Sequence, residues 1–167
     1  MGEPLASDHA ERMERARLSL EGLSLGDAFG ECFFSSAMQQ RLAYRELPDA
    51  PWFYTDDTMM AWSVVDVLAS HGAIDQDRLA RLFAERFRRQ PNRSYGAGAI
   101  RLLTAIGDGA DWREASRDSF GGQGSFGNGA AMRVAPIGAY FADDLQRVVD
   151  AARASAVVTH AHHEGVA

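Results

Sequence analysis

The stretch Trp52-Phe53-Tyr54-Thr55-Asp56-Asp57-Thr58-Met59-Met60 constrains this chain more than any other. Three aromatic residues lead into two adjacent carboxylates set between threonines, and an almost unbroken apolar run then continues to Leu68. Between Thr58 and Leu68 only Thr58, Ser63 and Asp66 are polar, so the helix they form is expected to run through the middle of the protein. Ser, Thr and Asp favour helix starts because their oxygens accept hydrogen bonds from the unpaired N–H groups of the first turn. The acids have two readings. They cap the helix and complement its dipole, or they hold a hard cation at its mouth.

The other elements are legible from periodicity. Asp8 and Glu11 have capping-box spacing and open a helix towards Phe29 whose apolar face carries Met13, Ala16, Leu20 and Leu23. Near its end, Gly26 and Gly30 share a face and are expected to let another backbone approach, with Asp27 projecting nearby as a capping or packing acid. Residues 35–54 read as a loop. His71-Gly72 ends the central helix, Asp75 caps a third helix bearing Leu79, Leu82, Phe83 and Phe87, and Pro91 follows it. A short helix over 99–106 stops at Gly107, Asp111 and Glu114 repeat the capping-box spacing, and a last amphipathic helix starts from Asp143 with Leu145, Val148, Val149 and Ala152. No stretch alternates with period two, and the fold class is all-α.

One segment is irregular. Gly121-Gly122-Gln123-Gly124-Ser125-Phe126-Gly127-Asn128-Gly129 holds five glycines in nine residues. Asn128 is placed to cap a helix bearing Ala130, Ala131 and Met132, which Pro136 kinks or restarts. Backbone N–H groups behind such a loop suit an anion. It is not a Walker loop, since no Gly-Lys-Ser/Thr follows, and no strand precedes it as a dinucleotide fingerprint requires.

Composition narrows the partners. A formal charge of -6, with all 17 basic residues Arg, argues against nucleic acid. Arg86, Arg88, Arg89 and Arg93 read as a solvated face at a helix end. Cys32 is the single cysteine and reads as packed core beside Phe33 and Phe34. It permits no intrachain disulfide, and a cytoplasmic location fits. No run is long enough to span a bilayer, so no membrane partner is expected. His160, His162, His163 and Glu164 lack zinc-protease spacing, and His9 and His71 read as surface residues.

Taken in order, five pieces resemble the ADP-ribosylglycohydrolase family. They are Gly22 to Gly30, Tyr54-Thr55-Asp56-Asp57-Thr58, Tyr95-Gly96-Ala97-Gly98, Gly127 to Pro136, and Ser155 to His160 leading to Glu164-Gly165. The resemblance implies a compact orthogonal multi-helix bundle with two Mg²⁺ ions at its centre, Thr55, Asp56 and Asp57 as metal ligands, and Asp56 and Asp57 as catalytic acids. Gly127, Asn128, Gly129, Ala130 and Met132 would lie along the diphosphate and ribose, with His160 near the ligand. The implied reaction is Mg-assisted hydrolysis of the glycosidic bond between ADP-ribose and a protein side chain.

Two departures modify this. Phe34 stands where the family commonly has a glutamate, with Glu31 earlier. The chain stops at Ala167, before the family's Asp-x-Asp-Thr motif. Residues 1–167 are therefore expected to be the N-terminal portion of one domain, with 1–8 as a flexible leader, holding at most one ion weakly and leaving an apolar face uncovered. A complementing C-terminal fragment or self-association would cover it. The sequence leaves open whether this portion acts as a hydrolase, or as a noncatalytic module that binds ADP-ribose or associates through that face.

Overall fold

The computed structural model describes residues 5–166, so the first half of the expected leader, residues 1–4, lies outside the described residues. Among those described there is no strand, and the fold is all-helical. The helices are α1 (His9–Glu31), α2 (Ser36–Ala43), α3 (Asp56–His71), α4 (Gln76–Arg89), α5 (Ala97–Gly107), α6 (Trp112–Gly122), α7 (Ala135–Tyr140), α8 (Leu145–Val157) and α9 (His163–Val166).

The apolar run becomes the hub. In α3 the side chains of Ala61, Val64, Val67 and Leu68 are fully buried, and α1, α4 and α7 pack around the helix. Leu79, Phe83 and Phe87 of α4 and Ile137 and Tyr140 of α7 complete the same core. Burying side chains of this size contributes about 1.5–3 kcal/mol each, which is why the apolar pattern decides the packing. Gly72 ends α3 in the left-handed conformation at φ 65°, and Asp75 caps α4 by accepting from Arg78 N–H at 2.8 Å.

Several local expectations are overturned. Asp8 makes no capping hydrogen bond, because its carboxylate pairs with Arg12 one turn on at 2.8 Å. Asp111 caps α6 through Arg113 N–H at 2.7 Å without a reciprocal bond from Glu114. Residues 35–54 are not all loop: Ser35 caps α2 by accepting from Met38 N–H. No atom stands within 4 Å of a side chain built at Gly26 or Gly30, so these glycines do not admit a neighbouring backbone among the described residues. Cys32 is half-buried rather than core, its thiol donating to the Ala28 carbonyl.

Charge pairs differ too. Arg86 reaches Asp66 at 2.6 Å and Ser63 at 2.7 Å, and Arg88 pairs with Asp108, so the arginine cluster is partly bound into the fold. Asp144 rather than Asp143 caps α8, and Leu145 and Val149 on that helix stay exposed. His9 is half-buried and its Nδ1 lies 2.7 Å from the Tyr140 hydroxyl, so it is not a free surface residue.

Candidate active site

The mouth of α3 is assembled by a residue from another helix. Thr55 is the N-cap, its hydroxyl accepting from Asp57 N–H at 3.3 Å, and Asp56 and Asp57 occupy the first turn without capping it. Asp27 of α1 accepts from the Thr55 N–H at 2.8 Å and hydroxyl at 2.7 Å, and from the Thr58 N–H at 3.2 Å and hydroxyl at 2.6 Å. Its capping reading therefore holds, but for a helix nearly thirty residues away. These bonds hold Thr55's hydrogen on Asp27, leaving one hydroxyl lone pair uncommitted. The Asp56 N–H donates to the Arg93 carbonyl at 2.7 Å, fixing the next residue of the turn.

No ion pair reaches Asp56 or Asp57 among the described residues. Burial, then the neighbouring Asp57 charge and those of Asp27 and Glu31, push the Asp56 carboxyl up to about 7. Asp57 is raised as well, by burial first and by Asp27 and Glu31 next. Tyr95, which stacks edge-on against Phe87 at 5.1 Å, is pushed up to about 12 by burial and the Asp56 charge.

Asp56 opens onto a cavity of about 210 Å³. Gly127, Asn128, Gly129, Met132 and His160 line the same cavity, so five of the six residues expected to bind ligand share it with a predicted acid. Ala130 does not line it, and neither do Thr55 and Asp57. The Gly-rich loop leads not into a helix capped by Asn128 but into a single 3-10 turn, Ala131–Arg133, closed by the Asn128 carbonyl. Pro136 then starts α7 as expected.

Residues that sequence reasoning passed over complete the wall. Helix α6 breaks at Ser119 and Phe120, with Phe120 at φ 56°, a region bulky side chains seldom enter. Its ring fills the space beside Gly98, where a side chain would come within 3.1 Å of the Phe120 Cζ. Gly98 in the Tyr95 to Gly98 motif is thus room for this ring. Arg133 is fully buried and has no acidic partner among the described residues; burial alone pulls it down to about 9, which leaves it charged at neutral pH. It donates to the Ser155 carbonyl at 2.7 Å, Thr159 Oγ1 at 3.0 Å and the Gly129 carbonyl at 3.2 Å, and lies over the Phe83 ring. A lone Arg between Met132 and Val134 was the available signal. Burial, then the Arg133 charge, hold His160 down to about 4.

Glu31 accepts from the Ser94 hydroxyl at 2.8 Å, whereas Phe34 is 81% exposed. His162 and His163 stack on each other at 4.4 Å, and no cluster of three or more His, Cys, Asp or Glu side chains with metal-binding geometry occurs among the described residues.

The helical bundle, with Asp56 and the glycine loop lining one cavity, is compared with known proteins through its sequence. Residues 8–167 match the model of the ADP-ribosylglycohydrolase family, and the chain belongs to that family. Among its relatives are ADP-ribosylhydrolase ARH3 of Homo sapiens, 34% identical over 172 residues, covering 93% of this chain and 47% of that protein. The Bos taurus ADP-ribosylhydrolase ARH3 is 35% identical over the same length and coverage, and that of Gallus gallus is 40% identical over 114 residues, 67% of this chain and 31% of that protein. The chain spans about half the length of the first two. No helix among the described residues is long and apolar enough to cross a membrane.

Proposed function

We propose that this chain carries the acid pair and the ligand-binding loop of a hydrolase that removes ADP-ribose from modified protein side chains, in the cytoplasm. The observation that carries the reading is the shared cavity, lined by Asp56, Gly127 to Gly129 and His160. A glycine loop of this kind suits a diphosphate, with the Gly127 N–H held by Ser125 Oγ at 3.3 Å, and the apolar lining of Met60, Leu102 and Leu103 suits the flat parts of a nucleotide.

The donor set at the α3 mouth fits a hard divalent cation. Two carboxylates without a basic partner and a threonine hydroxyl with a free lone pair are the oxygen ligands that Mg²⁺ takes. Asp56, Asp57 and Thr55 would hold one ion weakly. When bound, Mg²⁺ would orient the ribose hydroxyls and make a bound water easier to deprotonate. Asp56 is the group on the cavity wall, so it takes the proton of the attacking water and passes it to the side-chain leaving group as the bond to C1 breaks. Burial first, and the Asp57 charge next, make the Asp56 carboxyl basic before an ion binds. Asp27 orients Thr55 and the first turn.

Isothermal titration with ADP-ribose and Mg²⁺, comparing the native chain with Asp56→Ala and Asp57→Ala, tests the assignment. Weaker binding by both variants is expected, and equal binding by all three proteins removes it. A second reading, association through an uncovered face, is favoured by Leu18, Leu25 and Trp62, exposed by 58%, 62% and 45% along α1 and α3. Sedimentation that detects a concentration-dependent dimer, with no response to ADP-ribose, selects it.

A further inference from the structure

We infer that Arg133 and Thr159 are positioning residues that fix His160 as the neutral imidazole with its hydrogen on Nε2, making it a brace for the Gly127 to Gly129 loop and not a base in the reaction. The inference deepens the functional reading of this cavity and rests on hydrogen-bond accounting. An arginine can only donate, and Arg133 Nη2 donates to Thr159 Oγ1 at 3.0 Å in a buried setting. The same oxygen lies 2.7 Å from His160 Nδ1, and these are the hydroxyl's two partners among the described residues. If Nδ1 carried a hydrogen, both neighbours would donate to the hydroxyl and its own hydrogen would have no acceptor away from water. The accounting closes when Thr159 donates to a bare Nδ1, which places the ring hydrogen on Nε2.

The ring is held in place on its Nε2 side as well. A side chain at Gly129 would come within 3.0 Å of the His160 Cε1 and 3.4 Å of Nε2, and one at Gly165 within 3.2 Å of Cδ2. Both glycines therefore make room for the imidazole edge that carries the hydrogen. That edge faces the loop at Gly129. Arg133 holds the same loop from the other end through the Gly129 carbonyl at 3.2 Å. One buried cation thus orders the loop twice, directly and through the hydroxyl and the imidazole. Proton transfer falls to Asp56 on the same cavity.

Nitrogen-15 NMR of the imidazoles in the full chain, without ligand, tests this. His160→Gln identifies the His160 signals among the five histidines. A bare Nδ1 and a protonated Nε2 are expected from pH 5 to 8, unchanged in Thr159→Ser and converted to a mixture of tautomers in Thr159→Val. A hydrogen on Nδ1 in the native chain, or a Thr159→Val spectrum identical to the native one, overturns the inference. Should Thr159→Val not fold, the native spectrum decides. Because no ligand is present, failure of ADP-ribose to bind leaves this result standing, and the reverse also holds.

Discussion

Asp27 holds Thr55 twice, through the backbone N–H at 2.8 Å and through the hydroxyl at 2.7 Å, and so joins the end of α1 to the mouth of α3. The same carboxylate takes both donors of Thr58. Removing it leaves four donors short of a partner at a largely buried helix start. Asp27→Ala is therefore expected to lower stability by about 3 kcal/mol or more, since each orphaned buried donor costs about 1–3 kcal/mol. Urea denaturation measures it, and a loss under about 1 kcal/mol would show that water replaces the carboxylate.

Asp56 makes stability depend on pH in an unusual direction. Its carboxyl moves from 3.8 to about 7 on folding, so between those values the folded chain holds a proton that the unfolded chain has released. Stability then falls as pH rises from about 4 to 7, and the loss is complete above 7. The loss amounts to a few kcal/mol, on the order of the shift converted at about 1.4 kcal/mol per unit. Asp56→Asn removes the titrating group. Denaturation at pH 5 and pH 8 with chelator present should show the variant more stable than the native chain at pH 8 and close to it at pH 5. Equal pH dependence in both would place the titration elsewhere.

The central helix was legible because an apolar run with three polar interruptions has one economical place in a helical bundle, and α3 lies there. Gly72 and Asp75 were legible because their signals act on the adjacent turn. Asp27 reads locally as one more acid near a helix end, and its four bonds to Thr55 and Thr58 depend on packing between distant segments. Phe120 gave no signal for its left-handed backbone, which arises from the ring entering the space beside Gly98. Arg133 carried no reading of its own, because sequence shows charge but not burial. The cavity wall was legible only as a family resemblance, through motifs whose residues meet once α3 and the glycine loop are brought together.

Gly124 and Gly129 separate folding from binding. Gly124 sits at φ 74°, and a side chain there would come within 2.5 Å of the His162 backbone nitrogen, which cannot yield cheaply. Gly124→Ala is expected to lose about 2 kcal/mol or more of stability by denaturation, from strain and overpacking together. At Gly129 the obstacle is the His160 ring at 3.0 Å, held by Thr159 yet still a side chain. Gly129→Ala should stay folded and bind ADP-ribose about tenfold more weakly by calorimetry, roughly 1.4 kcal/mol. Unchanged affinity would mean that ADP-ribose does not use this wall.

Magnesium binding should release protons, because a cation takes the ionised carboxylate and Asp56 is about half protonated at pH 7. Calorimetry in two buffers of different ionisation enthalpy reads the release directly. About half a proton per ion is expected at pH 7, falling towards none at pH 9, where the site is already ionised. Affinity should rise over the same interval, since below pH 7 the ion must displace a proton and above it need not. Asp57 works in the same direction, its carboxyl being raised by burial and by Asp27. Asp56→Asn should remove most of the release and most of the affinity together. Tight binding with heats independent of buffer would show that the ion is held away from Asp56, and the assignment of Thr55, Asp56 and Asp57 as its ligands would fall.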